Sequence, residues 1–424
     1  ISLFLFMKVF ERYFNRNRLP FSPAFSGELS LIVIIPALDE PELFNTLDSL
    51  RACRLTKGNV GVIVVLNHAE NCHAEVKKRN EAAFQALQNY ISATRTPGLE
   101  FCAASAFDLP VSESGVGVVR KMAMDAAAWY FYNRRRPDGV IASLDADTLV
   151  EPNYFEELIG YFEASDAAGV AIHYAHRWDA ADRKLQEAII KYEMYLRYYC
   201  RALRYTGHPY GYQCIGSAFA CRAADYVAQG GMNKKQAGED FYFLQKLIAT
   251  GRFADLTATT VWPSSRISSR TPFGTGQSVR KIMEDGGTLL TYNPAAFRIL
   301  RTFFEGIPLL FRAEGQTVTD YMQRQTECLC RFLENAAFPQ KIREINGNVA
   351  SLPFFRKRFY DYFNAFRVLK YLNFVHDGYI EKQPVETAVT ELLEACGRMC
   401  PGSSRDILSF LRAEDKTTGF FLSL

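Results

Sequence analysis

Two carboxylates one residue apart, Asp145 and Asp147, follow the apolar run Val140-Ile141-Ala142-Ser143-Leu144. That run reads as a buried strand delivering both acids to the protein surface. A helix starts soon after, with Pro152 in its first turn. Hard cations such as Mg²⁺ and Mn²⁺ prefer carboxylate oxygens, and Mg²⁺ is usually held by one or two carboxylates plus substrate phosphates. The ends of strands are where α/β sheets bind ligands, so the pair points to a metal–diphosphate site. Alone, an Asp-x-Asp reads equally well as a solvated turn.

Three further segments carry chemistry of the same kind. Pro36-Ala37-Leu38-Asp39-Glu40 follows directly on a strand pattern, at the carboxyl end of a sheet where a nucleotide can sit. Its other reading is local: Asp39 before Pro41 caps a helix and Glu40 suits the helix dipole. Gly115-Val116-Gly117-Val118-Val119-Arg120-Lys121 opens a helix, and exposed backbone N–H groups with two cations favour a phosphate there. A flexible connection is the alternative, and neither a Walker motif nor a full dinucleotide fingerprint is present. Gly238-Glu239-Asp240-Phe241 opens another helix. Acids at that position partner the dipole, or one of them accepts a proton from an attacking hydroxyl as a general base.

These segments need a scaffold, and the hydrophobic periodicity describes one. Leu31 to Ile35 is a continuous branched apolar run, as expected for a strand covered on both faces, and Pro36 is expected to stop it. Further strands are expected at 60–66, near 100–104, at 140–145, 169–174 and 215–221. Helices are expected over 41–53, 73–92, 116–132, 153–164, 182–204 and 239–250. In the longest, Leu185, Ile189, Tyr192, Leu196, Tyr199 and Leu203 form one apolar stripe. The alternation predicts an α/β fold with a mostly parallel sheet and helices on both faces. The segment 263–278, rich in turn formers and arginine, reads as a loop able to close over a ligand. From about residue 290 the pattern is helical without clear strands. The expected organisation is an N-terminal extension over 1–28, an α/β domain over 29–285 and a helical region over 286–424.

Composition narrows the classes. A chain of 424 residues with 48% hydrophobic residues can bury a large core. A net charge of +3 gives no bulk drive toward nucleic acid. The ten cysteines are scattered, without a Cys-x-x-Cys pair, which reads as reduced thiols in a cytoplasmic protein. Six histidines make a His-rich transition-metal site improbable. The apolar start Ile1–Phe6 is broken by Lys8, Glu11 and Arg12 well before the roughly 20 residues a bilayer span requires. It has neither a basic leader nor a small-residue cleavage site.

Each motif is weak, but their order is specific. An apolar strand ending Pro-Ala-Leu-Asp-Glu, a second strand, a Gly/Arg/Lys helix start, Leu144-Asp145-Ala146-Asp147 and then Gly-Glu-Asp resembles the family 2 glycosyltransferases of the GT-A fold, over residues 29–280. The resemblance implies a nucleotide-diphospho-sugar donor, a divalent metal (Mn²⁺ or Mg²⁺) and inversion at the anomeric carbon. The acceptor would be a glycan, a lipid-linked group or a small molecule. It implies Asp147 on the metal, and Asp145 toward the ribose or the metal-bound phosphates. Asp240 would be the catalytic base, with Glu239 orienting the acceptor. Ala37, Asp39 and Glu40 would border the nucleoside, and Arg120 or Lys121 would lie near the base or the diphosphate. Arg266 and Arg270 would clamp the leaving diphosphate, a task that suits the two-point grip of a guanidinium.

The chain departs from that family in places. Where the family usually shows Asp-Asp-Gly-Ser, Leu66-Asn67-His68-Ala69 stands here; Asn67 both donates and accepts, so base recognition would survive with an altered preference. No histidine lies between 209 and 375 to serve as a late metal ligand. The Gln-x-x-Arg-Trp box of polysaccharide synthases is absent, which argues against processive export. Residues 354–374 interleave cations with Phe355, Phe359, Phe363 and Phe366, either a face for an anionic membrane or lipid-linked acceptor, or a packed helix. His173 and His176 flank a strand end and either line an acceptor pocket or serve structure. Two other functions stay open on the sequence: a sugar nucleotidyltransferase, and a non-catalytic nucleotide- or glycan-binding relative.

Overall fold

The computed structural model describes residues 3–178, 182–233, 238–267 and 274–417. The chain divides into two compact units. One comprises residues 1–179 and 214–277, the other 180–213 and 278–424.

The first unit is an α/β domain. Its elements in chain order are α1 (Leu3–Phe14), β1 (Leu31–Ala37), α2 (Leu43–Arg51), β2 (Val60–Ala69), α3 (Ala74–Ala93), β3 (Leu99–Leu109), α4 (Val116–Asn133), β4 (Val140–Ser143), β5 (Leu149–Val150), α5 (Tyr154–Ala164) and β6 (Gly169–Tyr174). After α6 (Arg183–Tyr205), which belongs to the second unit, come β7 (Phe219–Arg222), α7 (Ala223–Ala228), α8 (Glu239–Ile248) and β8 (Phe253–Trp262). The strands form one sheet in the order β3-β2-β1-β4-β7-β6-β8-β5. β1 pairs in parallel with β2 and β4, β2 with β3, and β6 with β8; β7 runs antiparallel to β4 and β6, and β5 antiparallel to β8. The sheet is thus mostly parallel, as its branched apolar runs predict. Every residue of β1 is buried, which is what a strand covered on both faces requires.

Pro36 does not stop β1. The strand continues to Ala37, with Pro36 in register with Val65. The reason lies in the neighbouring strand: pairing with β4 ends at Ile34 opposite Ser143. The backbone of Pro36 faces the same side as that of Ile34, so its missing N–H would point where the ladder has already finished. β3 runs to Leu109, well past the expected 104, and the strand expected at 215–221 is confined to Phe219–Arg222. β5, α7 and β8 were not named from sequence. β5 has only two residues, and β8 alternates without the continuous apolar run that marked β1 and β2.

The topology decides where chemistry can occur. The parallel strands end together, so Ala37, Asn67 and the acids after Ser143 emerge on one edge of the sheet. Because β7 is antiparallel, its start pairs with the end of β4 (Ser143 opposite Phe219), which brings Gly216 to the same edge. β8 is parallel to β6 and delivers Arg266 there as well.

Among its described residues the second unit is helical apart from a pair of two-residue strands, Leu290–Thr291 and Gln383–Pro384. Asp182 caps α6, its carboxylate accepting from the Lys184 backbone N–H at 2.8 Å. The stripe read on α6 is not its main buried face. Leu185, Tyr192, Leu196 and Tyr199 are only partly covered, while Glu193, Arg197 and Arg201 are buried. The charges are compensated: Arg197 donates to Glu193 at 2.9 Å and Arg412 to Glu193 at 2.7 Å, and Asp415 accepts from Arg197 and Arg201. Helix Ser404–Lys416 is held on α6 by this network. Phe355, Phe359 and Phe363 are wholly buried in the same unit. Of the two readings of 354–374, the packed one therefore holds for these rings, while Arg356, Lys357 and Arg358 remain exposed. Among the described residues no helix is long and apolar enough to cross a membrane.

Candidate active site

The centre of the edge is Arg120, in the second turn of α4 and 3% exposed. Its guanidinium donates from Nη2 to Asp145 Oδ1 (3.0 Å), from Nε to Glu239 Oε1 (3.3 Å) and from Nη1 to the Gly216 carbonyl (2.8 Å) and the Ser143 hydroxyl. One buried cation thus joins the strand end at Asp145 to the helix start at Glu239. A lone buried guanidinium would be costly; here its donors are met by two carboxylates and two further oxygens. The arrangement depends on Gly216. A Cβ there would lie 2.8 Å from Arg120 Nη2 and 3.1 Å from Asp240 Oδ2.

Asp240 stands beside this cluster. Its carboxyl is pushed up from 3.8 to about 6, first by burial and then by the charges of Glu239 and, to a smaller degree, Asp145. Arg120 and the Phe241 backbone N–H, which donates to Oδ1 at 2.7 Å, oppose the rise. A carboxylate with a pKa near 6 is a far better proton acceptor at neutral pH than an ordinary one. Glu239, 3% exposed, holds Arg120 Nε through Oε1 at 3.3 Å.

Asp145 keeps a 40% exposed side chain with Oδ1 on Arg120, and Asp147 is partly exposed two residues on. Among the described residues no group of three or more His, Cys, Asp or Glu side chains is placed to hold a metal ion. The donor set nonetheless fits a hard cation whose remaining ligands come from phosphate and water, since two carboxylates are what Mg²⁺ typically takes from protein.

The Pro-Ala-Leu-Asp-Glu turn is tightly braced. Asp39 has a left-handed backbone (φ 47°), its N–H donates to Asn80 Oδ1 at 2.9 Å, and its carboxylate is gripped by Arg79 through two bonds of 2.7 and 2.8 Å. Asn67 donates to the Ala37 carbonyl at 2.7 Å, and Asn80 to the Asn67 carbonyl at 3.0 Å. Glu40 is not open toward solvent: Arg266 Nη2 binds both its oxygens at 2.7 and 2.9 Å, and the charge of Asp147 also acts on that guanidinium. Arg266 thus holds the first strand turn, with Asp147 near enough to act on its charge.

Two expected members stand elsewhere or beyond view. Lys121 is buried away from the edge, its ammonium donating to Tyr13 Oη at 2.7 Å and Asp125 Oδ2 at 2.9 Å. The cause is helix geometry: one residue on from Arg120 is about 100° around α4, which turns Lys121 toward α1. Arg270 lies outside the described residues. His173 and His176 are buried; His173 Nδ1 is 3.1 Å from Thr260 Oγ1 and His176 Nε2 is 3.5 Å from Thr275 Oγ1. The sequence reading missed Gly216, Ser143, Arg79 and Asn80. Only Asn80 carried a signal, as a poor helix former within the α3 pattern.

No protein-family model matches the chain, and no curated protein does. Its fold is similar to solved structures at 13% identity. One is TarS 1–349 of S. aureus in complex with UDP-GlcNAc, with a TM-score of 0.41, covering 79% of this chain and 91% of that one. Another is the mannosyltransferase PcManGT from Pyrobaculum calidifontis in complex with GDP-Man and Mn²⁺, with a TM-score of 0.37, covering 99% and 89%. At such scores neither likeness bears on the assignment of a reaction, which rests on this chain's own residues.

Proposed function

We propose that the first unit is a GT-A glycosyltransferase domain. It moves a sugar from a nucleotide-diphospho-sugar to an acceptor hydroxyl with inversion, and Asp240 is the general base. The carrying observation is the single buried Arg120 that joins Asp145 to Glu239, beside an Asp240 whose pKa is raised to about 6.

The chemistry follows from the roles those groups can fill. The acceptor oxygen forms a bond to the anomeric carbon as the bond from that carbon to the diphosphate oxygen breaks. The electron pair leaves with the diphosphate, and the acceptor proton passes to the Asp240 carboxylate, which releases it to solvent. One displacement from the face opposite the leaving group inverts the carbon. Glu239, fixed by Arg120, orients the acceptor beside Asp240. Asp39 and Asn67, held by Arg79 and Asn80, shape the nucleoside side. Arg266 would exchange Glu40 for diphosphate oxygens, a charge-assisted contact of the kind guanidinium groups make with phosphate. Asp145 and Asp147 would hold a divalent ion, which when bound would supply positive charge against the leaving diphosphate.

Calorimetric titration with UDP, GDP, CDP and dTDP, with Mn²⁺ and again with EDTA, tests the reading. We expect one diphosphate to bind, only with metal. Asp147→Asn should weaken that binding at least tenfold, or about 1.4 kcal/mol. If none of the four binds under either condition, or if Asp240→Asn transfers sugar at the wild-type rate, the proposal fails.

A further inference from the structure

A second surface of the first unit is independent of the catalytic reading. Helix α1 has 12 residues and is bound to the domain by one side only. Phe10 and Tyr13 are buried, with Tyr13 donating to Asp125 at 2.7 Å and accepting from Lys121. At about 100° per residue, the opposite arc carries Phe4, Leu5, Lys8, Glu11 and Arg12, and Arg16 follows in the turn after the helix. All six are exposed. Phe4 and Leu5 are unusual in this respect, at 63% and 54% exposure, and Lys8 Nζ sits 4.3 Å from the centre of the Phe4 ring.

We propose that this arc is a docking surface for an anionic lipid bilayer, with α1 lying in the plane of the headgroups. Two large apolar side chains lead, and three cations follow at four-residue steps against a single acid, which makes the face complementary to negative charge. A helix with apolar residues and Lys or Arg on one exposed face partitions into the interface. Phe4 and Leu5 would enter the acyl boundary while Lys8, Arg12 and Arg16 meet phosphate groups. The buried Tyr13–Asp125–Lys121 cluster keeps the helix fixed, so little order has to be gained on binding.

Sedimentation of the full chain with vesicles tests this, comparing phosphatidylcholine alone with phosphatidylcholine containing about 30% phosphatidylserine. We expect binding to the anionic vesicles only, weakening as salt rises. Each cation removed should cost about fivefold in partitioning, so Lys8→Gln with Arg12→Gln should cost roughly 25-fold. Phe4→Ser with Leu5→Ser should weaken binding at unchanged salt dependence. None of the four side chains packs in the core, so an unchanged melting temperature confirms that each variant is folded. Failure of the wild-type chain to bind anionic vesicles overturns the proposal, as does binding that none of these substitutions reduces. Self-association through the same residues without vesicle binding overturns it too and assigns the face to a second copy of the chain.

Discussion

Replacing Asp240 with asparagine should make the protein more stable while removing transfer. The carboxyl rises from its ordinary 3.8 to about 6 in the fold, because burial and the neighbouring Glu239 disfavour its charge. Each pKa unit is worth roughly 1.4 kcal/mol, so an ionised Asp240 costs the native state up to about 3 kcal/mol. The sign follows from proton counts. Between 3.8 and about 6 the folded protein still holds the proton that the unfolded chain has lost, so stability falls as pH rises through that window. Above it the full cost stands; below it there is none. Asparagine has no such titration. Urea unfolding of both proteins from about pH 4 to about pH 8 should show a gap that opens with pH and levels off beyond about 6. Transfer by the wild-type chain should rise over the same range, as the base loses its proton. If Asp240→Asn is no more stable than the wild type at about pH 8, or if the gap is the same at about pH 4, the reasoning is refuted.

Three other outcomes follow from the same edge of the sheet. Arg120→Leu leaves Glu239 buried without its cation and should cost 3–5 kcal/mol, an order-of-magnitude figure read by urea unfolding, with transfer lost as well. Gly216→Ala pushes a Cβ to 2.8 Å from Arg120 Nη2, so the guanidinium must shift. Steady-state kinetics should show transfer reduced by up to about a hundredfold, while urea unfolding shows a stability loss of only about 1–3 kcal/mol. Asn80→Ala strands the Asp39 N–H and the Asn67 carbonyl, at about 1–3 kcal/mol by urea unfolding, and should weaken nucleotide binding in calorimetry more than it slows turnover of bound substrate.

Much of the scaffold was legible because local rules act on it strongly. β1, β2, β4 and β6 are continuous apolar runs, and burial on both faces demands such runs, so both their existence and their type could be read. Their ends were read less well. Whether β1 stops at Pro36 depends on where β4 stops pairing, a fact about a segment more than 100 residues away. The face of α6 was misjudged because periodicity counts apolar residues only. There, Glu193 and Arg197 are buried through partners on helix Ser404–Lys416, which no window on α6 contains.

The same division runs through the site. The sequence by itself determined which groups are able to do chemistry: Asp145 and Asp147 after a strand, Glu239 and Asp240 at a helix start, and cations at 120, 121 and 266. Residue type and local position set those abilities, and neither needs the fold. Only the tertiary structure decided between Arg120 and Lys121, since neighbours on a helix face different environments and just one of them meets the acids. The fold also paired Glu40 with Arg266 and raised Asp240 but not an ordinary surface carboxyl. Those outcomes depend on distance and desolvation, and both arise only when segments far apart in the chain are brought to one edge of the sheet.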